Sequence, residues 1–248
     1  MSICDKSSTD RNLLKELRKL RAVCLYTGGA AHDYNNALTA VMGNISLARL
    51  EAGSNREQAE LLKDAEKAAG RIKVLTEKIA LYARGIRINK SRSCIGDIVQ
   101  SALEGFSDDY RGTAAVNIEK ELPDVDVDPE LIEEALCCII ENACEASQHS
   151  GGEVKINVCR EEVRNSGTPG MDGVAEGDYI KVSVRDNGKG FKPESLPRMF
   201  EPYYSTKEGS DGIGLALAYS ILKRHRGFIT AALSETGGSI FSVFIPLF

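Results

Sequence analysis

Apolar and small residues recur alternately four and three positions apart at Leu13, Leu17, Leu20, Cys24, Thr27, Ala31, Tyr34, Leu38, Val41, Ile45 and Ala48. No proline interrupts this heptad seam, and it predicts a long helix packed lengthwise against others. Gly53-Ser54-Asn55 then supplies a helix stop and turn. A second seam follows at Leu61, Ala65, Ala68, Ile72, Leu75, Ile79, Tyr82 and Ile86. Two long helices joined so briefly make an antiparallel hairpin. One hairpin leaves both seams short of neighbours, so the pattern predicts a homodimer whose two hairpins form a four-helix bundle. Residues before about Ser8 are polar and are expected to fray.

Three polar side chains stand just off the first seam. His32 follows a seam position and so lies about 100° round the helix from the buried stripe. Asp33 also avoids the seam, and Asn36 lies one turn beyond His32 on the same side. A lone histidine is ordinarily a satisfied core or surface residue, but three polar groups gathered beside an apolar seam make a candidate site. Gly28, Gly29 and Gly43 are unexpected here, because each costs about 1 kcal/mol against alanine in a helix. Either they permit close helix packing, or Gly28 and Gly29 form a soft spot one turn before His32.

The chain has 248 residues, 42% hydrophobic and 27% charged, which allows one large or two modest domains with a buried core. A net charge of −5 argues against a nucleic-acid partner. No run approaches the ~18 apolar residues of a membrane span, and Met1 is not followed by a signal-peptide core. The cysteines Cys4, Cys24, Cys94, Cys137, Cys138, Cys144 and Cys159 form no C-x-x-C pair, and several lie in apolar segments. A reduced, cytoplasmic protein is the expectation.

Residues 89–93 read as a linker, dividing a helical domain at 1–88 from a mixed one at 89–248. In the second domain the patterns predict a helix from Ile95 to Phe106 and a strand from Ala115 to Leu122. Asp128-Pro129 suits a helix start, the first as N-cap and the second at the first helical position. That helix runs to about Gln148 with an apolar face of Leu131, Ala135, Cys138, Ile139 and Ala146. Strands are expected at 154–158 and 179–184, with a hairpin connection over 161–177 between them. A helix from Leu215 to Arg224 and two strands joined by Thr236-Gly237-Gly238 complete the chain. The order is not strict βαβ alternation, so the prediction is an α+β sandwich with a mixed sheet.

Three short motifs in this half could carry chemistry. Asp186-Asn187-Gly188-Lys189-Gly190 ends an apolar strand, though a turn alone would explain it. Gly209-Ser210-Asp211-Gly212-Ile213-Gly214 runs into an apolar helix, where backbone N–H groups and the helix dipole suit phosphate. Its spacing is not that of a P-loop. Asn142 interrupts an apolar helix. Its carbonyl oxygen would suit Mg²⁺ bridging phosphates, a cap or core hydrogen bond being the alternative.

Across nearly its whole length the chain resembles the catalytic core of a sensor histidine kinase of the two-component systems. Ala31-His32-Asp33-Tyr34-Asn35-Asn36 resembles the H-box and Glu141-Asn142-Ala143 the N-box. Asp186 to Gly190 resembles the G1-box, Phe200 to Lys207 the F-box and Gly209 to Leu215 the G2-box. The resemblance implies a dimerisation and histidine-phosphotransfer hairpin followed by a Bergerat-type ATP-binding sandwich. It implies that Asp186 receives the adenine amino group and that Asn142 holds Mg²⁺. Gly188, Gly190, Thr206, Lys207, Gly212, Gly214 and Leu215 would complete the ATP site, and the segment from Lys192 to Asp211 would be its lid.

The same resemblance implies ATP-dependent phosphorylation of His32 and transfer to an aspartate of a response-regulator receiver domain. A neutral imidazole can attack the γ-phosphorus, with Asp33 accepting a hydrogen bond from the other ring nitrogen. Mg²⁺ would neutralise charge in a loose transition state. Asn36 matches the position that orients water for dephosphorylating the receiver, which implies a phosphatase activity as well. The chain departs from the family pattern at Cys138, Glu145, Ser210, Asp211 and Ala37. These departures keep open a non-catalytic phosphotransfer or scaffold protein with a degenerate ATP domain. A gyrase-like ATPase without phosphohistidine is disfavoured by the His32 hairpin. His149 and His225 are expected to be solvated. No sensor region, membrane anchor or receiver domain is legible, so the expectation is an excised core or one that senses through a partner.

Overall fold

A computed structural model of the protein describes residues 34, 36–51, 55–83, 88–105, 114–147, 152–164, 174–207, 210 and 212–247. The chain divides into two compact units, Met1–Ile86 and Arg87–Phe248. No helix among the described residues is long and apolar enough to cross a membrane.

The first unit contains helix α1 over 36–51 and helix α2 at Arg56–Ala83. Asn55 caps α2, its Oδ1 accepting the Gln58 N–H at 3.2 Å. Glu66 of α2 accepts hydrogen bonds from Ser46 Oγ at 3.1 Å and from Arg49 at 2.5 Å, tying α1 and α2 together. Seam residues Leu38, Ile45, Ala48, Ala65 and Ala68 are half-buried. Tyr34, Val41, Leu61 and Ile72 of the same seams remain 64%, 48%, 67% and 51% exposed. Among the described residues a Cβ on Gly43 would meet nothing within 4 Å, so there this glycine serves no close helix contact. Gly28, Gly29, His32 and Asp33 lie outside the described residues.

The second unit runs β1 (Ser91–Ser93), α3 (Ile95–Glu104), β2 (Ala114–Ile118), β3 (Val125–Val127) and α4 (Pro129–Ser147). It continues with β4 (Val154–Val163), β5 (Gly177–Asp186), α5 (Gly214–Arg224), β6 (Phe228–Leu233) and β7 (Ser239–Pro246). Five strands form one sheet in the order β2-β4-β5-β7-β6. β2 is parallel to β4 and the other pairs are antiparallel, giving the mixed sheet expected. α4 packs on α3, α5 and β5, and α5 on β6 and β7. Along β4, Val154, Ile156 and Val158 are buried while Lys155 and Asn157 are exposed, the alternation of a sheet covered on one face. The buried row of β5 is Ile180, Val182, Val184 and Asp186. The period of two thus delivers a carboxylate to the inner face at the strand's end. Ile132, Ala135, Leu136, Cys138, Ile139 and Ile140 of α4 are buried, whereas Leu131 and Ala146 are only half-buried.

Several boundaries differ from the sequence expectation. Residues 89–93 are not simply a linker. Ser91–Ser93 pairs antiparallel with Val125–Val127, and the Asn89 N–H donates to Asp128 Oδ2 at 2.7 Å. A polar strand of three residues has no periodicity to read. β2 stops at Ile118, and Glu121 turns the chain at φ +60°. β4 and β5 are longer than predicted, pairing out to Val163 opposite Gly177, so the connection is shorter than 161–177. Charged residues near the predicted strand ends form cross-strand ion pairs there, Arg160 with Asp178 and Lys181 with Glu161, both at 2.8 Å.

His225 is 1% exposed rather than solvated. Its Nε2 lies 3.1 Å from the Asp128 N–H, which can only donate, and its Nδ1 lies 2.8 Å from the Ile221 carbonyl, which can only accept. The ring is therefore neutral with the proton on Nδ1. Burial pushes its pKa down. The Gly227 that follows marks a turn, but this turn packs inward: a Cβ on Gly227 would come 2.4 Å from the Phe244 carbonyl oxygen. Asp128 also caps α4 as predicted, its Oδ1 accepting the Leu131 N–H at 3.2 Å.

Candidate functional site

Three loops converge on one stripe of α4, formed by Cys138, Asn142 and Ala146 at successive turns. At one end is Gly214, the first residue of α5. A Cβ there would sit 3.7 Å from Cys138 Cβ and 3.8 Å from its Sγ. At the other end is Gly188, where a Cβ would come 2.3 Å from the Ala146 carbonyl oxygen. Glycine is required at 188 because the loop after β5 runs against the helix backbone itself. Between them Lys207 Nζ donates to Asn142 Oδ1 at 2.9 Å and to the Asn142 carbonyl at 3.2 Å. It also pairs with Glu145 Oε2 at 2.9 Å.

Asp186 closes β5 at 1% exposure. Its Oδ1 accepts the Gly188 N–H at 2.8 Å, a local turn that fixes the carboxylate. Among the described residues its Oδ2 is the one buried side-chain oxygen or nitrogen with no hydrogen-bond partner. An orphaned buried carboxylate oxygen costs several kcal/mol unless something donates to it, on the order of 1–3 or more. A ligand amino group is the chemistry that fits. Gly190 follows at φ +70°, and a Cβ on it would meet Leu233 at 3.0 Å and the Gly238 carbonyl at 3.2 Å.

The N-terminus of α5 faces the same region. Among the described residues no side chain caps it and no acidic residue occupies its first turn, and Leu215 there is half-buried. Its first-turn N–H groups and positive dipole end suit an anion. The preceding segment is stapled over it: the Tyr203 N–H donates to the Gly212 carbonyl at 3.0 Å. Phe200 stacks on Tyr219 of α5 with ring centroids 5.7 Å apart. Gly212 has φ +65°, and a Cβ would come 2.7 Å from the Tyr203 backbone. Tyr203 itself has φ +64°, an unusual conformation for a residue with a side chain.

Asn142, Asp186, Gly188, Gly190, Lys207, Gly212, Gly214 and Leu215 thus lie on one ring of adjoining elements. Thr206 is exposed beside Lys207, and Asn36 is exposed on α1 in the other unit. His32, Asp33 and Asp211 lie outside the described residues. Two participants were missed from sequence. Gly238 packs directly on Asp186, which only the β5–β7 pairing reveals. Glu145, noted only as a departure, is the partner of Lys207.

Residues 127–248 match the family described as histidine kinase-, DNA gyrase B-, and HSP90-like ATPase. This half of the chain is an ATP-binding domain of that type. In fold, the chain is similar to full-length ShkA in complex with AMPPNP, at a TM-score of 0.69 and 19% identity, over 89% of this chain and 45% of that one. It is also similar to the Acinetobacter baumannii histidine kinase AdeS, at a TM-score of 0.54 and 18% identity, over 86% of this chain and 96% of that one. By sequence it is 25% identical over 237 residues to the sensor histidine kinase ZraS of Salmonella typhimurium, covering 94% of this chain and 48% of the relative. It is 24% identical over 249 residues to sporulation kinase E of Bacillus subtilis, covering 98% of this chain and 31% of the relative. The chain therefore spans less than half the length of ZraS and of sporulation kinase E. Over nearly its whole length the chain is thus similar in sequence to the sensor histidine kinase ZraS, and over residues 127–248 it matches the ATPase family named above.

Proposed function

We propose that the chain transfers the γ-phosphoryl group of ATP to His32 and then to an aspartate of a response-regulator receiver domain. The observation that carries this reading is the buried Asp186 with its unpartnered Oδ2 at the rim of the α4 stripe. In this reading Oδ2 accepts the adenine amino group, and the N-terminus of α5 with its glycines meets the phosphates. Among the described residues no three His, Cys, Asp or Glu side chains gather to hold a metal. Mg²⁺ would therefore rely on the Asn142 oxygen together with phosphate oxygens and water. The donor set fits, since Asn142 Oδ1 already accepts from a cation, the Lys207 ammonium. When bound, Mg²⁺ neutralises phosphate charge.

His32 acts as the nucleophile. A neutral ring nitrogen forms the bond to phosphorus, the bond to the β–γ bridging oxygen breaks, and ADP departs. Asp33 orients the ring and stabilises the positive charge that develops on it. Asn36, one turn on, orients water for dephosphorylating the receiver. Tyr34, Val41, Leu61 and Ile72, exposed in a single chain, are the surfaces that a second copy covers in a four-helix bundle. ATP as the donor and free cysteines fit a cytoplasmic setting, with no nucleic-acid partner.

Binding of a non-hydrolysable ATP analogue tests the nucleotide half of this reading, and sedimentation tests the dimer. Micromolar analogue binding with Mg²⁺ and a mass twice 26.9 kDa are expected; no binding, or a monomer, contradicts the respective half. A second reading, a phosphotransfer or scaffold protein, is favoured by Cys138, a thiol rather than a carboxylate or amide one turn before Asn142, where it packs on Gly214. It predicts no analogue binding.

A further inference from the structure

The three contacts of Lys207 use all three donors of its ammonium group. Two acceptors belong to Asn142 and the third to Glu145, one turn further along α4. The backbone that presents Lys207 is fixed by a small turn, in which the Lys207 N–H donates to Ser205 Oγ at 3.0 Å and Ser205 Oγ donates to the Lys207 carbonyl at 3.2 Å. Upstream, Tyr203 is anchored to Gly212. The side chain can therefore relocate while its backbone stays in place. Its exposure of 28%, against 55% for Glu145, puts the pair partly in water, where an ion pair is weak enough for a ligand to displace.

We infer that Lys207 and the divalent cation compete for Asn142 Oδ1, and that Glu145 is the positioning residue that holds Lys207 there until the nucleotide arrives. The inference rests on the ATP-binding reading and goes beyond it. An amide oxygen that accepts from an ammonium at 2.9 Å cannot also coordinate Mg²⁺, because the two cations would repel at contact distance. Arrival of a Mg²⁺–nucleotide pair therefore expels Nζ from Oδ1, and the phosphates offer it a new anionic partner. Glu145 pulls the other way. In the nucleotide-free state it keeps the ammonium on α4, and with Lys207 removed it would stand as an unneutralised carboxylate beside Asn142.

The test is the Mg²⁺ midpoint for binding of a fluorescent ATP analogue by the full chain, at fixed analogue concentration. Glu145→Gln is expected to lower that midpoint about two- to fivefold, the size of a part-exposed ion pair. Lys207→Met is expected to lower it as well, and in the Lys207→Met background, where the Glu145 carboxylate is left to attract the cation, Glu145→Gln is expected not to lower it further. In the nucleotide-free protein, Lys207→Met is expected to shift the NMR signal of the Asn142 side-chain amide. A midpoint raised by Glu145→Gln, an equal effect in both backgrounds, or an unmoved Asn142 amide would overturn the inference. If the amide shifts but the wild type binds no analogue at any Mg²⁺ concentration, the ATP-binding reading fails and the competition with it.

Discussion

Gly238 lies against Asp186 so closely that a Cβ on the glycine would come 2.1 Å from the Asp186 carbonyl oxygen and 2.8 Å from its Oδ1. The turn between β6 and β7 thus forms one wall of the position where the carboxylate is held. Gly238 also has φ +83°, where a side chain is strained in any case. Gly238→Ala is expected to cost about 1–3 kcal/mol of stability and to weaken nucleotide binding at least tenfold. Its neighbour Gly237 shares the strained backbone, at φ +95°, but has nothing within 4 Å. Gly237→Ala should cost only about 1–2 kcal/mol and leave nucleotide affinity unchanged. Thermal melts and analogue titrations of the two variants separate backbone strain from damage at Asp186.

Asp186→Asn replaces a buried carboxylate by an amide of the same shape. A bound adenine amino group would lose a charged acceptor, a loss of about 1.5–3 kcal/mol, or roughly 10- to 100-fold in affinity. The nucleotide-free protein should be no less stable, because the amide keeps the Oδ1 acceptor for the Gly188 N–H and a neutral group costs less to bury unpartnered than a carboxylate. Reduced affinity together with undiminished melting temperature is the expected signature. Parallel loss of both would point to a purely structural role.

The buried ring of His225 links the N-terminus of α4 to the C-terminal end of α5. Burial lowers its pKa from the ordinary 6.5, so the unfolded chain takes up the proton first as pH falls. The stabilisation is complete above about 6.5 and is lost as pH drops from there toward the folded-state pKa. Denaturant midpoints measured from pH 7.5 to 5 should fall, and His225→Gln should flatten that slope. His225→Ala should cost about 2–4 kcal/mol at neutral pH, because it leaves a cavity and deprives the Asp128 N–H of its acceptor.

Legibility in the sequence followed the range of the interaction. Asp186 stood out because it ends a strand with alternating apolar residues, and that same alternation places it on the inner face. Asn142 stood out as an amide inside an apolar helix. The mixed sheet followed from the irregular order of helices and strands. By contrast, the Gly238–Asp186 and Lys207–Glu145 contacts join residues far apart in the chain, and no local pattern records such pairs. The β1–β3 ladder is too short to show a period. His225 was misread because a histidine before a glycine turn looks exposed until the packing of Gly227 against Phe244 is known. The heptad seams announced helices that need company, and the exposed Tyr34 and Leu61 agree with that need without identifying the companion.

The most direct measurement is incubation of the full chain with γ-labelled ATP and Mg²⁺, followed by acid treatment. The account predicts acid-labile label on the wild-type protein and none on His32→Gln or Asn142→Ala. Label retained on His32→Gln, or no label on wild-type protein that binds the nucleotide, would contradict it.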